Sequence, residues 1–525
     1  MTLRIGIDFD NTIVNYDGLF SKVAKKLKLN LDSYPAKKEL IKKEIFKKKN
    51  GLKIWQRLQG KVYGEFIANA KIFDGLRKFI IHCNLKNYEI FIISHKTRFG
   101  HYDEKKIFLR KAALDFIDSN KIIRSDITGI KKKNIFFFKN RKKKINKKKK
   151  LKLNFFIDDL TEVLCDKNFP KITKKILFSK NKNNNEDIIN VNNWFKIDQV
   201  INGYWSIDHL KKLSSILLKK NDILDFNQVH NGINSKVYKL KLKKNKSLIL
   251  KMYPYEDNLF SRRIRVENES LRYLNKNNFP VPKVFKAFLE FNCSFFEFQP
   301  GKKITKATEL SIDQCYDFIN KLMILSSQTK IKSFPNAKEA CFNPNEICKQ
   351  IKKKFHILLK VDNKELNNFL LLNFHSLFTK YSKKAKKKFN KKFTNNIVIS
   401  NRILSPSDFG LHNTISHNNK LYFLDFEYFG WDDPIKLICD FFWHPGNNVS
   451  KKLKNRFLNK TINLFSKNYK NFKNKLYVLL PLYGLRWCLI ILNCFVKKNH
   501  TNKIIETQQL KKAQKILNQV SHYGY

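Results

Sequence analysis

Asp8 and Asp10 follow the apolar run of "IGIDFDNT" and stand two residues apart. In a strand that spacing sends both carboxylates out on one face. One carboxylate can then attack phosphorus while the other gives a proton to the leaving oxygen and later activates water. Chemistry of this kind also needs groups that neutralise phosphate. Ser94, in "FIISHKT", is suited to a phosphate hydrogen bond at the end of a second strand. Asp158 and Asp159, in "FFIDDL", end another, where hard oxygens would complete a Mg²⁺ site with Asp8 and the backbone at Asp10. Lys144, in "NRKKKINK", is the candidate cation between these segments.

A second constellation lies in the C-terminal half. "SDFGLHN" contains the triplet Asp-Phe-Gly, which in protein kinases binds metal, but its surroundings give it another role. Asn413 lies five residues after Asp408, and Asp425, at the end of the apolar "YFLDFE", lies seventeen after. In a kinase catalytic loop the Asp accepts the proton of the substrate hydroxyl, the Asn five residues on holds metal, and a separate downstream Asp holds metal as well. Asp408 is therefore the candidate base, with Asn413 and Asp425 as metal ligands. Upstream, Gly232 in "HNGINSKVY" sits where backbone must approach phosphates, and Lys251 in "LILKMY" stands on the next strand, within reach of α- and β-phosphates. Glu267 shares a helical face with Leu271 and Leu274 and can turn inward to Lys251, whereas Glu269 points elsewhere. The backbone of Glu297 to Gln299, in "FFEFQPG", is the candidate edge for adenine.

The elements that must position these residues follow two patterns. From residue 1 to about 200, β-rich runs alternate with helix-compatible stretches, which predicts a parallel sheet with crossover helices. The polar "SKNKNNNEDIINVNN", Ser179 to Asn193, reads as a loop or linker. After about residue 203 a strand-rich block precedes a long helical one: strands in "SKVYKLKL" and "SLILKMYP", a helix over Asn258 to Asn275, two more strands, and helical periodicity from about Leu310. No repeat of fixed period is present.

The series Asp8, Asp10, Ser94, Lys144, Asp158 and Asp159 resembles the haloacid dehalogenase (HAD) superfamily over roughly Met1 to Ile197. The resemblance implies a Rossmann-like α/β fold with a small helical cap at about Tyr16 to Phe73, and Mg²⁺-dependent phosphomonoester hydrolysis through an aspartyl-phosphate at Asp8. The series Lys251, Glu267, Asp408, Asn413 and Asp425 resembles the aminoglycoside phosphotransferase and choline kinase-like family over roughly Ile223 to Pro445. It implies an α+β two-lobed protein-kinase-like fold, with an N-lobe at about 223–300 and a C-lobe at about 301–525, that uses ATP and Mg²⁺ to phosphorylate a small-molecule hydroxyl. The sequence departs from the family in having Ser405, Pro406 and Ser407, and no His or Arg, just before Asp408. Asp433 and Asp440, in "GWDDPIKLICDFFWHP", are expected to cap and brace the helical lobe. The expected domains are 1–200 and 203–525.

The 525 residues, 42% of them hydrophobic, are enough for several buried cores. A formal charge of +61 suits polyanions, but the excess is mostly Lys spread along the chain with Asn, Ile and Phe, which fits compositional drift on solvated faces better than a dedicated nucleic-acid site. Nucleic-acid end repair also joins a HAD phosphatase to a kinase, but the P-loop expected of such kinases is missing. A polycationic aminoglycoside would be repelled by so basic a chain, so a sugar, an amino alcohol or an anionic metabolite is the expected acceptor, with a phosphomonoester as the second substrate. A catalytically silent scaffold is the remaining alternative. Nine cysteines without a C-x-x-C pair, and a first segment without the marks of a signal peptide, lead to a cytoplasmic expectation. The apolar stretch Leu476 to Val496 contains Pro481, Gly484, Arg486 and Asn493 and is expected to be a buried helix, with no membrane span.

Overall fold

The computed structural model describes residues 2–181, 183, 185–219, 222–231, 235–243, 246–255, 262–496 and 503–523. Gly232, expected near the phosphates, lies outside them. The chain divides into two compact units, one of Met1–Asn231, Tyr238–Lys246 and Phe288–Cys293, the other of Gly232–Val237, Ser247–Ala287 and Ser294–Tyr525. Compactness thus does not divide at residues 200–203. The helix Ile207–Leu218, capped by Ser206, buries Leu210, Leu213 and Leu217 in the first unit.

The first unit is built on six strands: β1 (Arg4–Ile7), β2 (Glu89–His95), β3 (Ile135–Phe138), β4 (Phe155–Asp158), β5 (Lys174–Phe178) and β6 (Ile188–Val191). All neighbours are parallel, in the order β3-β2-β1-β4-β5-β6. The order reverses between β1 and β4, and in open parallel sheets ligands bind beyond the carboxyl ends of the strands at such a switch point. Asp8 follows β1 and Asp158 ends β4, so both stand there. β6 corrects the expectation of a linker over Ser179–Asn193. Its two buried residues, Ile188 and Val191, are too few to mark a strand among asparagines, and only the edge of β5 gives them a partner.

Between the two-residue strands Val14–Asn15 and Lys71–Ile72, which pair antiparallel, the chain inserts the helices Leu19–Lys26, Lys38–Phe46 and Gly51–Tyr63. Their apolar faces meet at Phe20 and Trp55, stacked with ring centroids 5.1 Å apart. A helical insertion was expected over this stretch.

A second sheet has the order Val284–Phe288, Cys293–Glu297, Ser247–Met252, Lys236–Leu242, Ile223–Asn231. The helix expected over Asn258 to Asn275 is described as Arg262–Lys276, residues 256–261 lying outside the description. The helical block of the second unit opens with Glu309–Gln328, whose Thr308 and Ser311 form a reciprocal cap. Within the block, the hairpin of Thr414–His417 and Lys420–Phe423 presents the residues just outside its ends, Asn413 and Asp425. The helical stretch Phe472–Val496 is long and apolar enough to cross a membrane, but its apolar window is 72% buried inside the protein. Arg486 within it bonds Asp440 at 3.0 Å and Glu339 at 2.5 Å, partners that a lipid-facing helix would not supply.

Candidate functional site

In the first unit the switch point gathers acids and lysines from the ends of β1, β2 and β4 and from the helix after β3. Lys144 comes from the helix Arg141–Lys150, where Asn140 caps the first turn. Only one face of this lysine-rich helix turns inward: Lys144, Ile145 and Lys148 are buried while their neighbours are exposed or half-buried. The Lys144 ammonium lies 2.5 Å from Asp8 and 2.7 Å from Asp158. Burial alone would lower its pKa, but the two carboxylates raise it and keep the ammonium charged.

Oxygens of Asp8, Asp158 and Asp159 lie within 4.8 Å of one another. Burial pushes the Asp8 carboxyl up to about 6, with Lys144 opposing and Asp158 adding to the rise. Burial and the charges of Asp8 and Asp158 push Asp159 up to about 8, and Asn11 bonds its carboxylate at 3.1 Å. Of the three acids, Asp8 and Asp158 bond Lys144 and Asp159 feels the more distant charge of Lys38, and together they offer hard oxygen atoms. A Mg²⁺ ion fits that donor set.

Asp10 turns elsewhere. Both of its oxygens accept from Lys96 at 2.9 Å, and one accepts from the Tyr16 hydroxyl at 2.6 Å. Its carboxylate does not belong to the cluster of three. Ser94 is buried at the end of β2. Lys96 was missed in the sequence although it stands two residues beyond Ser94, the spacing that relates Asp10 to Asp8.

In the second unit Lys251 is the hub. Its ammonium bonds Glu267 at 2.8 and 3.1 Å and Asp425 at 2.7 Å, and stands 3.5 Å from Glu427. Burial opposes the charge on Lys251, and Asp425, Glu267 and Glu427 more than restore it. Burial pushes Glu267 up to about 7, with Lys251 opposing and Asp425 and Glu427 adding to the rise. The helical spacing holds, with Glu267 buried and Glu269 exposed. Tyr253 donates to Glu267 at 2.7 Å, and Arg263 bonds Glu427 at 3.1 Å. Glu427 was missed in the sequence although it lies two residues after Asp425. The oxygens of Glu267, Asp425 and Glu427 lie within 4.8 Å, a second hard-oxygen set that fits Mg²⁺.

Asp408 and Asn413 are held together by the backbone, since the Asn413 side-chain amide donates to the Asp408 carbonyl at 2.9 Å. Asn413 is tied to the other strand of the hairpin by the Leu424 N–H, which donates to its carbonyl at 2.8 Å, one residue before Asp425. Asp425 adopts φ +65°, an uncommon backbone for a non-glycine residue. His412 and His444 both reach the Asp408 carboxylate, at 3.1 and 3.4 Å. Burial would raise the Asp408 pKa, but the His412 hydrogen bond and the neighbouring imidazoles of His444 and His412 hold it well below the usual carboxylate range.

The adenine-edge expectation narrows. The Glu297 N–H donates to Lys283 O at 2.9 Å and the Phe298 N–H to Ser247 O at 3.2 Å, because this segment continues a strand. Asp433 caps the helix Pro434–Trp443 by accepting from the Ile435 N–H at 2.8 Å, and Asp440 is braced by Lys436, Arg486 and Trp487.

Residues 225–325 match the phosphotransferase enzyme family. Among solved structures, a spectinomycin phosphotransferase in complex with ADP and spectinomycin is 13% identical with a TM-score of 0.43, over 60% of this chain and 99% of that one. The choline kinase LicA from Streptococcus pneumoniae is 16% identical with a TM-score of 0.40, over 59% and 99%. An ethanolamine kinase from Plasmodium vivax is 16% identical with a TM-score of 0.42, over 62% and 95%. No curated protein matches the chain.

Proposed function

We propose that the second unit is an ATP-dependent phosphotransferase with a two-lobed kinase-like fold, acting on the hydroxyl of a small molecule such as a sugar, an amino alcohol or an anionic metabolite. The observation that carries this reading is the hub of Lys251 with Glu267 and Asp425, alongside the family match that covers Lys251 and Glu267. Lys251 would hold the α- and β-phosphates, with Glu267 fixing its ammonium. Asp425 and Asn413 would hold Mg²⁺, which when bound neutralises charge on the transferred group. The acceptor hydroxyl forms the new P–O bond, the bond from the γ-phosphorus to the bridging oxygen of ADP breaks, and Asp408 receives the hydroxyl proton. A carboxyl held so far below its usual range is a weak base, so Asp408 would orient the hydroxyl first and take its proton only as the new bond forms. ATP consumption over a panel of hydroxyl metabolites tests this reading. Wild type should turn over at least one acceptor, and equal turnover by Asp408→Asn would refute the assignment.

We further infer that the first unit is a HAD-like phosphatase, on the strength of Lys144 set between Asp8 and Asp158 beside a third acid. Asp8 would attack the phosphorus of a phosphomonoester, with release of the alcohol oxygen to a proton from Asp10. Water activated by Asp10 would then cleave the aspartyl-phosphate. Lys144 and Ser94 would bind the phosphate oxygens, and Asp8, Asp158, Asp159 and the Asp10 backbone would hold Mg²⁺. Hydrolysis of p-nitrophenyl phosphate that persists undiminished in Asp8→Asn would remove this half of the proposal.

A further inference from the structure

The sequence lacks a basic residue immediately before Asp408, yet the carboxylate is not left without imidazole neighbours. His412 comes from the same loop and His444 from the end of the helix Pro434–Trp443. Their imidazole rings stack almost parallel, with centroids 3.6 Å apart and planes 7° apart. Both Nε2 atoms face Asp408 Oδ1, at 3.1 and 3.4 Å.

The partners on the far side of each ring assign the protons. His444 Nδ1 accepts from the Gly446 N–H at 3.0 Å, so the proton of that ring sits on Nε2 and points to Asp408. His412 Nδ1 lies 3.1 Å from Asn447 Oδ1. The Asn447 amide cannot be turned round, because its Nδ2 donates to Phe441 O at 2.8 Å. Both nitrogens of His412 therefore face acceptors, and both are donors. The His412 N–H bonds Asp408 Oδ1, and the His444 N–H faces the same oxygen across 3.4 Å.

Two glycines open the space for this arrangement. A Cβ on Gly410 would lie 2.5 Å from Asn447 Oδ1 and 2.7 Å from His412 Nδ1. A Cβ on Gly446 would lie 2.9 Å from the His444 ring and 3.1 Å from His412 Cβ. Gly410 is the glycine of "SDFGLHN", and its place there is explained by the imidazole pair and its Asn447 support.

We propose that His412 and His444 are a positioning pair: their Nε2–H groups hold Oδ1 of Asp408, leaving Oδ2 as the oxygen that meets the acceptor hydroxyl. The role of Oδ2 rests on the phosphotransferase reading above, whereas the hold on Oδ1 does not. The pair occupies the functional place of the basic residue missing upstream, reached through tertiary structure.

The test compares His444→Phe, which keeps a ring against His412 but has no donor, with His444→Gln, which has a donor but no ring. In steady-state ATP turnover, His444→Phe should lower kcat about 10- to 100-fold while KM for ATP stays within about 3-fold, the size of effect expected from a misplaced reacting group. His444→Gln should recover most of that loss. Wild-type kcat in His444→Phe, a loss that appears in KM, or a Gln variant no better than Phe would overturn the proposal.

A second measurement stands even where no acceptor is turned over, so that failure of the phosphotransferase reading is told apart from failure of the pair. In protein with ¹⁵N-labelled histidine, His444 should show a protonated Nε2 and an acceptor Nδ1. The Nε2 resonances of both His412 and His444 should move in Asp408→Asn. An Nδ1–H tautomer of His444, or Nε2 resonances indifferent to Asp408→Asn, would overturn the proposal.

Discussion

The two carboxylate sites of this chain handle charge in opposite ways. In the first unit a lysine stands between Asp8 and Asp158, and the acids outnumber it, so burial and mutual repulsion lift Asp8 to about 6 and Asp159 to about 8. In the second unit the acid nearest the proposed chemistry, Asp408, stands apart from the lysine hub and is held low by two imidazoles. The contrast suits the two proposed tasks. Covalent hydrolysis needs one acid to attack and another to move protons, and a crowded cluster separates their affinities. Transfer to a hydroxyl needs a carboxylate that is ionised and fixed in direction before ATP arrives.

The largest effects should come from removing the reacting oxygens themselves. Asp8→Asn should lower p-nitrophenyl phosphate hydrolysis by on the order of 10⁴-fold or more, as loss of a covalent nucleophile does. ATP turnover should be unaffected. Asp408→Asn should lower ATP turnover by about 10²- to 10⁴-fold and leave hydrolysis intact. Two sites that failed together would instead form one functional unit, and the contrast between them would collapse.

A third cluster supplies a control for stability. Lys436 is fully buried between Asp432 at 2.7 Å and Asp440 at 2.9 Å, and Arg486 also bonds Asp440. Here bases balance acids, and no reaction is assigned. Lys436→Met should cost about 3–5 kcal/mol, because it takes the cation from the buried Asp432 while Asp440 keeps Arg486. The loss should appear as a lower midpoint in thermal or denaturant unfolding.

The smallest effect should be a pH dependence, to which the first unit contributes through Asp8 and Asp159. Asp8 and Asp159 have an ordinary pKa of 3.8 and are raised in the folded chain, to about 6 and about 8. From pH 3.8 to about 8 the folded state therefore binds more protons than the unfolded one, so their contribution to stability falls as pH rises. Added Mg²⁺ should raise the unfolding temperature more at the upper end of that window than at the lower end, and chelation should reverse the gain. An equal Mg²⁺ effect at both ends would remove this account of the site. Lys96→Ala tests the same site: it deprives Asp10 of both its 2.9 Å bonds and should lower kcat for hydrolysis more than it raises KM.

Much of this architecture was legible in the residues. The apolar runs before Asp8, Ser94 and Asp158 became neighbouring parallel strands, because residues buried on both faces of a sheet must be continuously apolar. Lys144 could be chosen from a crowd of lysines only as a candidate, since one inward face of a helix selects it and sequence does not say which face that is. Strand β6 stayed hidden because an edge strand with two buried residues carries too little pattern. Lys96 and Glu427 were within reach, each two residues beyond a residue already singled out. His412 and His444 were not, for thirty-one residues and a helix separate them, and nothing local records that their rings stack.

The sequence by itself determined the kinds of chemistry available: paired acids after apolar runs, a lysine on one strand and a glutamate on an inward helical face, and an asparagine five residues after an aspartate. These follow from period and spacing, which are local. Tertiary structure decided which charges meet, hence which carboxyl is lifted and which is held down. A pKa depends on burial and on neighbours within a few ångströms, and those neighbours come from distant parts of the chain.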